Sequence, residues 1–202
     1  MNFLAHIFLS GESEQVRIGN FIADAVKGNQ WEEYEPEIQK GIHLHRAIDN
    51  FTDQHPIVLQ GIERLYASQG KYASVAVDIF YDHFLAKNWQ KYHPQDLLTF
   101  TQTFYTQVLK YLTHLPVKVQ YMFPHMQKQN WLFHYQSLKG IERVFEGMSK
   151  RTSFQSNLLT APKYLVENYA IYEQEFEQFF PQIISFVEKW HNTWKTPTPP
   201  LL

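Results

Sequence analysis

Four stretches within the first 83 residues set ionisable side chains among apolar neighbours. NFLAHIFL encloses His6, IGNFIADAVKG places Asp24 on an otherwise apolar helix face, and GIHLHRAIDNFTDQHP carries His43, His45, Arg46, Asp49, Asp53 and His55. The fourth, VAVDIFYDHFLAKNW, reads as a buried helix and yet holds Asp78, Asp82 and His83. His45 and Asp49 are four residues apart, as are Asp78 and Asp82, so each pair projects from one helix face. Asp53 extends the first stripe by a turn. Two such faces meeting in a helix-bundle interior would converge imidazole and carboxylate on a divalent cation, which would relieve the repulsion between Asp78 and Asp82. Asp78 has no cationic side chain within a helical turn. Structural roles are the alternative: Asp49 paired with Arg46 or a lysine of another helix, Asp53 capping the helix that begins at Pro56, and Asp82 at a rim facing water.

Composition narrows the chemistry. The chain has no cysteine, which excludes thiolate metal sites and a cysteine nucleophile, so any metal must use His, Asp, Glu or water. A formal net charge of -2 and a pI near 6.5 argue against a protein that coats nucleic acid. The opening lacks a basic leader, and no run approaches the roughly 20 apolar residues of a membrane span. These features describe a cytoplasmic protein without a membrane or nucleic-acid partner. No glycine-rich phosphate loop, GxSxG or HExxH is present. His93, His114, His125, His134 and His191 are scattered and read as surface or core imidazoles. Arg143, Lys150 and Arg151 gather near a helix end, where they either complement the helix dipole or dock an acidic partner.

The elements that must position these groups are helices, since glycines and prolines fall at helical intervals and strict alternation is nearly absent. The expected class is all-α, a single helical-bundle domain over residues 1–194 followed by a flexible proline-rich tail at 195–202, KTPTPPLL. Helices are expected over Ser13–Lys27, Pro36–Asp53, Pro56–Ser68, Tyr72–Lys91, Pro94–Thr113, Val117–Lys128, Tyr135–Lys150 and Pro162–Trp194, the last kinked or divided at Pro181. With apolar residues at 44% and aromatic ones at 16%, such a bundle can build a full core.

MNFLAHIFLS, GNFIADAVKG, GIHLHRAIDNFTDQHP and VDIFYDHFLAKNW, in this order and spacing, resemble the acyl carrier protein phosphodiesterase family. GIERVFEGMSKR and FEQFFPQI extend the likeness over nearly the whole chain. The resemblance implies hydrolysis of the phosphodiester that joins 4'-phosphopantetheine to a serine of holo acyl carrier protein, and dependence on Mn²⁺; carboxylate and imidazole ligands with water in the open positions suit Mn²⁺ or Mg²⁺, as one or two ions. It also implies remote kinship with the all-α HD-type metal phosphohydrolases. This sequence has no His-Asp dipeptide, only the reversed Asp82-His83, so the HD ligand scheme does not transfer residue by residue. His6, Asp24, His45, Asp49, Asp53, Asp78, Asp82 and His83 match the family's own motifs. Among them, spacing makes Asp24, His45, Asp49, Asp78 and Asp82 the expected ligands and Asp53 a support behind them. His83 or His6 is expected to protonate the leaving oxygen or orient a ligand, and Arg46 to hold a phosphate oxygen. The carrier substrate is acidic, which gives Lys150 and Arg151 a steering role beside Arg143. Another metal phosphohydrolase, acting on nucleotides or small diesters, and a non-catalytic helical binding protein are the competing readings.

Overall fold

The computed structural model describes residues 1–150 and 156–195. Arg151 and residues 196–202 of the tail lie outside the described residues. Helices form all the regular structure among the described residues, as the spacing of glycine and proline predicts. The first six are α1 (Phe3–Leu9), α2 (Glu14–Ile22), α3 (Pro36–Gln54), α4 (Pro56–Gln69), α5 (Ala73–Lys87) and α6 (Leu97–Tyr111). They are followed by α7 (Val117–Lys128), α8 (Trp131–His134), α9 (Leu138–Ser149), α10 (Ala161–Glu167) and α11 (Tyr169–Thr193). None of them is long and apolar enough to cross a membrane.

Local chemistry sets the boundaries. Pro36 and Pro56 occupy first-turn positions, where a missing N–H costs nothing. Asp96 accepts from the Thr99 N–H at 2.9 Å, so α6 starts at Leu97 rather than near Pro94. Ser137 accepts from the Gly140 N–H at 3.1 Å and starts α9, which splits the helix expected over Tyr135–Lys150. The helix expected over Ser13–Lys27 ends at Ile22 and passes into a 3₁₀ turn at Ala23–Ala25, which carries Asp24 off the helix face. The terminal region divides at Asn168, not at Pro181. The backbone N–H and side-chain amide of Asn168 both donate to the Tyr164 carbonyl, at 3.1 and 3.0 Å, closing α10. Pro181 lies inside α11 on its exposed side, where water can take up the carbonyl that a proline cannot satisfy.

α5 lies at the centre. Ala76, Val77, Ile79, Phe80, Tyr81, Phe84 and Leu85 are all fully buried, as expected of a helix that is apolar on every side. α11 lays Tyr172, Phe176, Phe179, Phe180 and Ile183 into the same continuous core, and each such side chain contributes about 1.5–3 kcal/mol by burial. Arg64 of α4 clamps Glu175 of α11 through two hydrogen bonds of 3.1 and 2.6 Å.

The contact that matters most for function is between α2 and α3. A Cβ added at Gly19 would overlap the Ile38 carbonyl, and one at Gly41 would overlap the Val16 carbonyl. The two helices therefore touch backbone to backbone, which only glycine allows. That approach brings Asn20 of α2 against His45 of α3.

Candidate metal centre

Asn20 is fully buried and organises the site. Its side-chain amide nitrogen donates to the His6 carbonyl at 3.0 Å and to Ser10 Oγ at 2.9 Å. A carbonyl can only accept, so this end of Asn20 must be the NH₂ group, and Oδ1 faces the other way. Oδ1 lies 2.8 Å from His6 Nδ1 and 3.0 Å from His45 Nδ1, and the Asn20 backbone carbonyl is 2.9 Å from His45 Nδ1. Each Nδ1 must therefore carry the hydrogen and donate it. Both rings are thus left with Nε2 pointing away from Asn20, in the tautomer a metal-binding histidine takes when its other nitrogen donates to an oxygen.

The two Nε2 atoms converge on α3. His6 Nε2 is 3.1 Å from Asp49 Oδ1, and His45 Nε2 is 3.1 Å from Asp49 Oδ2 and 3.3 Å from Asp24 Oδ1. The rings of His6 and His45 stack with centroids 4.0 Å apart and planes at 19°. Both rings are buried, whereas the Asp24 side chain is 71% exposed and closes the site from the solvent side. Ligand atoms of His6, His45 and Asp49 lie within 4.8 Å of one another, which is the compactness a single cation requires.

The electrostatics fit a cation. Burial works against a charge on His45, but Asp24 and Asp49 outweigh it and push the imidazole up to about 9. Burial and the neighbouring His45 charge push His6 down, because two stacked imidazoles do not both protonate. Burial opposes ionisation of Asp49, yet the hydrogen bond and charge of His45 at its oxygen hold its carboxyl far below the ordinary range. Asp24 is likewise lowered, chiefly by His45. His6 Nε2 is buried and, although 3.1 Å from Asp49, is not in hydrogen-bond geometry with it or with any other described group. A neutral imidazole lone pair held against a carboxylate oxygen is repulsive unless a cation joins them. Two nitrogen and carboxylate oxygen donors with an open, solvent-facing side suit a divalent cation that accepts nitrogen more readily than Mg²⁺ does.

The structure brings together His6, His45, Asp49 and Asp24, and gives Asp78 and Asp82 partners of their own, with Asp78 also at the wall of the same small cavity. Asp78 accepts from the Met1 α-ammonium at 2.8 Å. Asp82 is fully buried beneath the start of α1, where it accepts from the N–H groups of Asn2, Leu4 and Ala5 at 3.3, 2.8 and 3.2 Å. It caps α1 from another helix and meets the unpaired donors and positive dipole of that terminus. The paired carboxylates of α5 thus hold the amino-terminal segment in place, and that segment presents His6. His83 is also placed elsewhere: Nδ1 lies 2.7 Å from the Tyr135 carbonyl and Nε2 2.8 Å from the Tyr169 hydroxyl, so it ties α5 to α8 and α11. Asp53 is exposed and does not cap the helix at Pro56. It lines a cavity of about 240 Å³ together with His6, Asn20, Asp24, His45, Asp49 and Asp78. Burial and the charges of Asp78 and Asp49 raise its carboxyl. Arg46 is exposed and lines neither this cavity nor the larger one beside it. Arg143 lines the larger cavity, and Lys150 sits exposed at the carboxyl end of α9.

Asn20 is the functional residue that spacing did not reveal. Its signal is a neutral amide in RIGNFI, a segment otherwise apolar after Arg17; a buried polar side chain needs partners, but the sequence does not say which.

The described residues thus form an all-helical protein in which two oriented imidazoles and a carboxylate, grouped closely enough to hold a metal ion, face one small acidic cavity. The chain belongs to the acyl carrier protein phosphodiesterase family, whose pattern residues 1–183 match. The acyl carrier protein phosphodiesterase of Photorhabdus laumondii is 34% identical over 189 residues, covering 93% of this chain and 96% of that one. Those of Yersinia enterocolitica and Escherichia coli O157:H7 are 34% and 32% identical, each over 92% of this chain and 96% of the relative. No solved structure matches the chain.

Proposed function

We propose that this protein hydrolyses the phosphodiester between 4'-phosphopantetheine and the serine of holo acyl carrier protein, releasing apo carrier protein and 4'-phosphopantetheine, with a divalent cation at the His/Asp cluster. The observation that carries this reading is the pair of Nε2 atoms that Asn20 fixes on Asp49. His6, His45 and Asp49 would hold the ion, with Asp24 at its solvent side; Mn²⁺ is the preferred ion and Mg²⁺ the alternative. Bound there, a divalent cation supplies an activated water and offsets charge on the phosphoryl oxygens.

The chain's own residues do the remainder. Asn20 keeps both rings in the ligating tautomer. The α5 carboxylates Asp78 and Asp82 anchor the segment that carries His6, so the donor geometry is set before substrate arrives. The exposure of Asp24 and Asp53 leaves the cavity open to a bulky protein substrate on that side. Kinship with the HD-type phosphohydrolases is supported by the all-α fold and the His/Asp donors, through a ligand pattern that lacks an adjacent His-Asp pair.

The test follows carrier mass. Chelator-stripped protein incubated with holo acyl carrier protein should remove the phosphopantetheine mass only when Mn²⁺ or Mg²⁺ is returned, and Asp49→Asn should abolish the loss. Metal-independent loss would overturn the role of the cluster. Cleavage of small diesters with no preference for carrier protein would overturn the substrate assignment and favour a general phosphodiesterase. No turnover of either substrate by folded, metal-loaded protein would favour the binding-protein reading.

A further inference from the structure

A second cavity, of about 960 Å³, adjoins the candidate metal centre. It lies between α7, α8 and α9 on one side and the α2 end and α5 on the other, and its apolar lining includes Phe21, Val75, Met122, Trp131, Val144 and Met148. It shares Met1, Asn2, Phe3, Asp24 and Asp78 with the small acidic cavity, so the two have a common wall. A phosphate group and its metal need only the small cavity. The larger one falls near the top of the roughly 300–1,000 Å³ range of small-molecule sites, and its mainly apolar walls with a few polar groups are what such sites require. The cations Lys118, Lys128 and Arg143 also line it.

The geometry points to this cavity as the binding site for the pantetheine arm of the substrate, with the arm's phosphate at the His/Asp cluster and the carrier protein on the open side near Asp24 and Asp53. This inference rests on the carrier-protein reading above. The arm alternates short hydrocarbon pieces, a dimethyl-substituted carbon and two ethylene units, with a hydroxyl and two amides before a terminal thiol, so it matches walls of Phe, Val, Met and Trp broken by Gln129 and His134. Lys118, Lys128 and Arg143 are exposed where they line the cavity, so their side chains can donate hydrogen bonds to the arm's amide carbonyls. Arg143 thereby moves from steering the carrier surface to contacting its prosthetic group. Binding energy from the arm, which does not itself react, would then position the phosphorus atom, and a diester lacking the arm would forgo that gain.

The experiment fills the cavity away from the metal cluster. Val144→Trp and Met148→Trp, each checked for a wild-type melting transition, are assayed with Mn²⁺ on holo acyl carrier protein and on bis(4-nitrophenyl) phosphate. Binding of free 4'-phosphopantetheine is measured by calorimetry. The expected result is at least a 10-fold fall in the ratio of kcat/KM for carrier protein to that for the small diester, with a matching loss of 4'-phosphopantetheine affinity. An unchanged ratio and unchanged affinity in both folded variants would overturn the inference while leaving the proposed reaction standing. Failure of wild-type protein to cleave holo carrier protein would instead overturn the reaction, and wild-type binding of 4'-phosphopantetheine that is lost on filling would still support the cavity.

Discussion

Replacing Asn20 by alanine removes the acceptor that both imidazoles share, and the structure shows what each ring keeps. His45 Nδ1 retains the Asn20 backbone carbonyl at 2.9 Å, and the His6 carbonyl retains the Ser10 hydroxyl at 2.8 Å. His6 Nδ1, whose one partner among the described residues is Asn20 Oδ1 at 2.8 Å, is left with a buried N–H that no described group accepts. An orphaned buried donor costs about 1–3 kcal/mol, so stability should fall by that amount. The larger effect should be on the metal, since losing the partner that orients a ligating imidazole typically weakens binding about 10–100-fold. The assay is Mn²⁺ titration of chelator-stripped protein by calorimetry, with urea unfolding in parallel. Asn20→Asp keeps an acceptor for both rings but loses the amide donors to the His6 carbonyl and Ser10. It should lower stability while preserving more of the Mn²⁺ affinity than alanine does. Wild-type Mn²⁺ affinity in a folded Asn20→Ala protein would refute the reasoning from tautomer to ligand.

Asp82→Ala should destabilise the fold by on the order of 3 kcal/mol in urea unfolding, since it strands three N–H groups at the start of α1. Burial pushes the Asp82 carboxyl up to about 7, above its unfolded value of about 3.9. Its contribution to stability is therefore fully present below about pH 4 and is lost as pH rises through about 7. The difference in stability between wild type and Asp82→Asn should slope across that window, and a flat difference would contradict the assignment. Gly41→Ala should force α2 from α3, costing about 1–3 kcal/mol or more and weakening Mn²⁺ binding together with stability; unchanged melting would show that the helices do not touch at this point. His83→Gln should cost about 1–3 kcal/mol through the lost partner of the Tyr135 carbonyl while leaving Mn²⁺ affinity at the wild-type value, and a large loss of affinity would return His83 to the metal centre.

Much of the fold was legible because its punctuation is local. Val117–Lys128 falls where expected, and the prolines at 36 and 56 open helices as their geometry requires. Of the kink or division expected at Pro181, the division does not occur: on a wet helix face the freed carbonyl is cheap, while Asn168 ends α10 with two hydrogen bonds of its own. Within the site, His45 and Asp49 were legible as an i, i+4 pair on one helix. Asp78 and Asp82 showed the same spacing but found a different answer. A buried and a half-buried carboxylate can be satisfied by a metal or by N–H donors, and the donors here are an α-ammonium and three main-chain amides nearly 80 residues away in sequence, which no side-chain pattern displays. Asn20 was missed for a related reason: its importance comes from the glycine contact between two helices, a property of packing rather than of either segment.

The most direct test of the central claim is to locate Mn²⁺ in crystals of the protein by anomalous diffraction. The account predicts one strong peak within coordinating distance of His6 Nε2, His45 Nε2 and an Asp49 oxygen, with Asn20 still bridging the two Nδ1 atoms. A peak held instead by Asp78 and Asp82, with the Met1 amine and the start of α1 displaced, would contradict it.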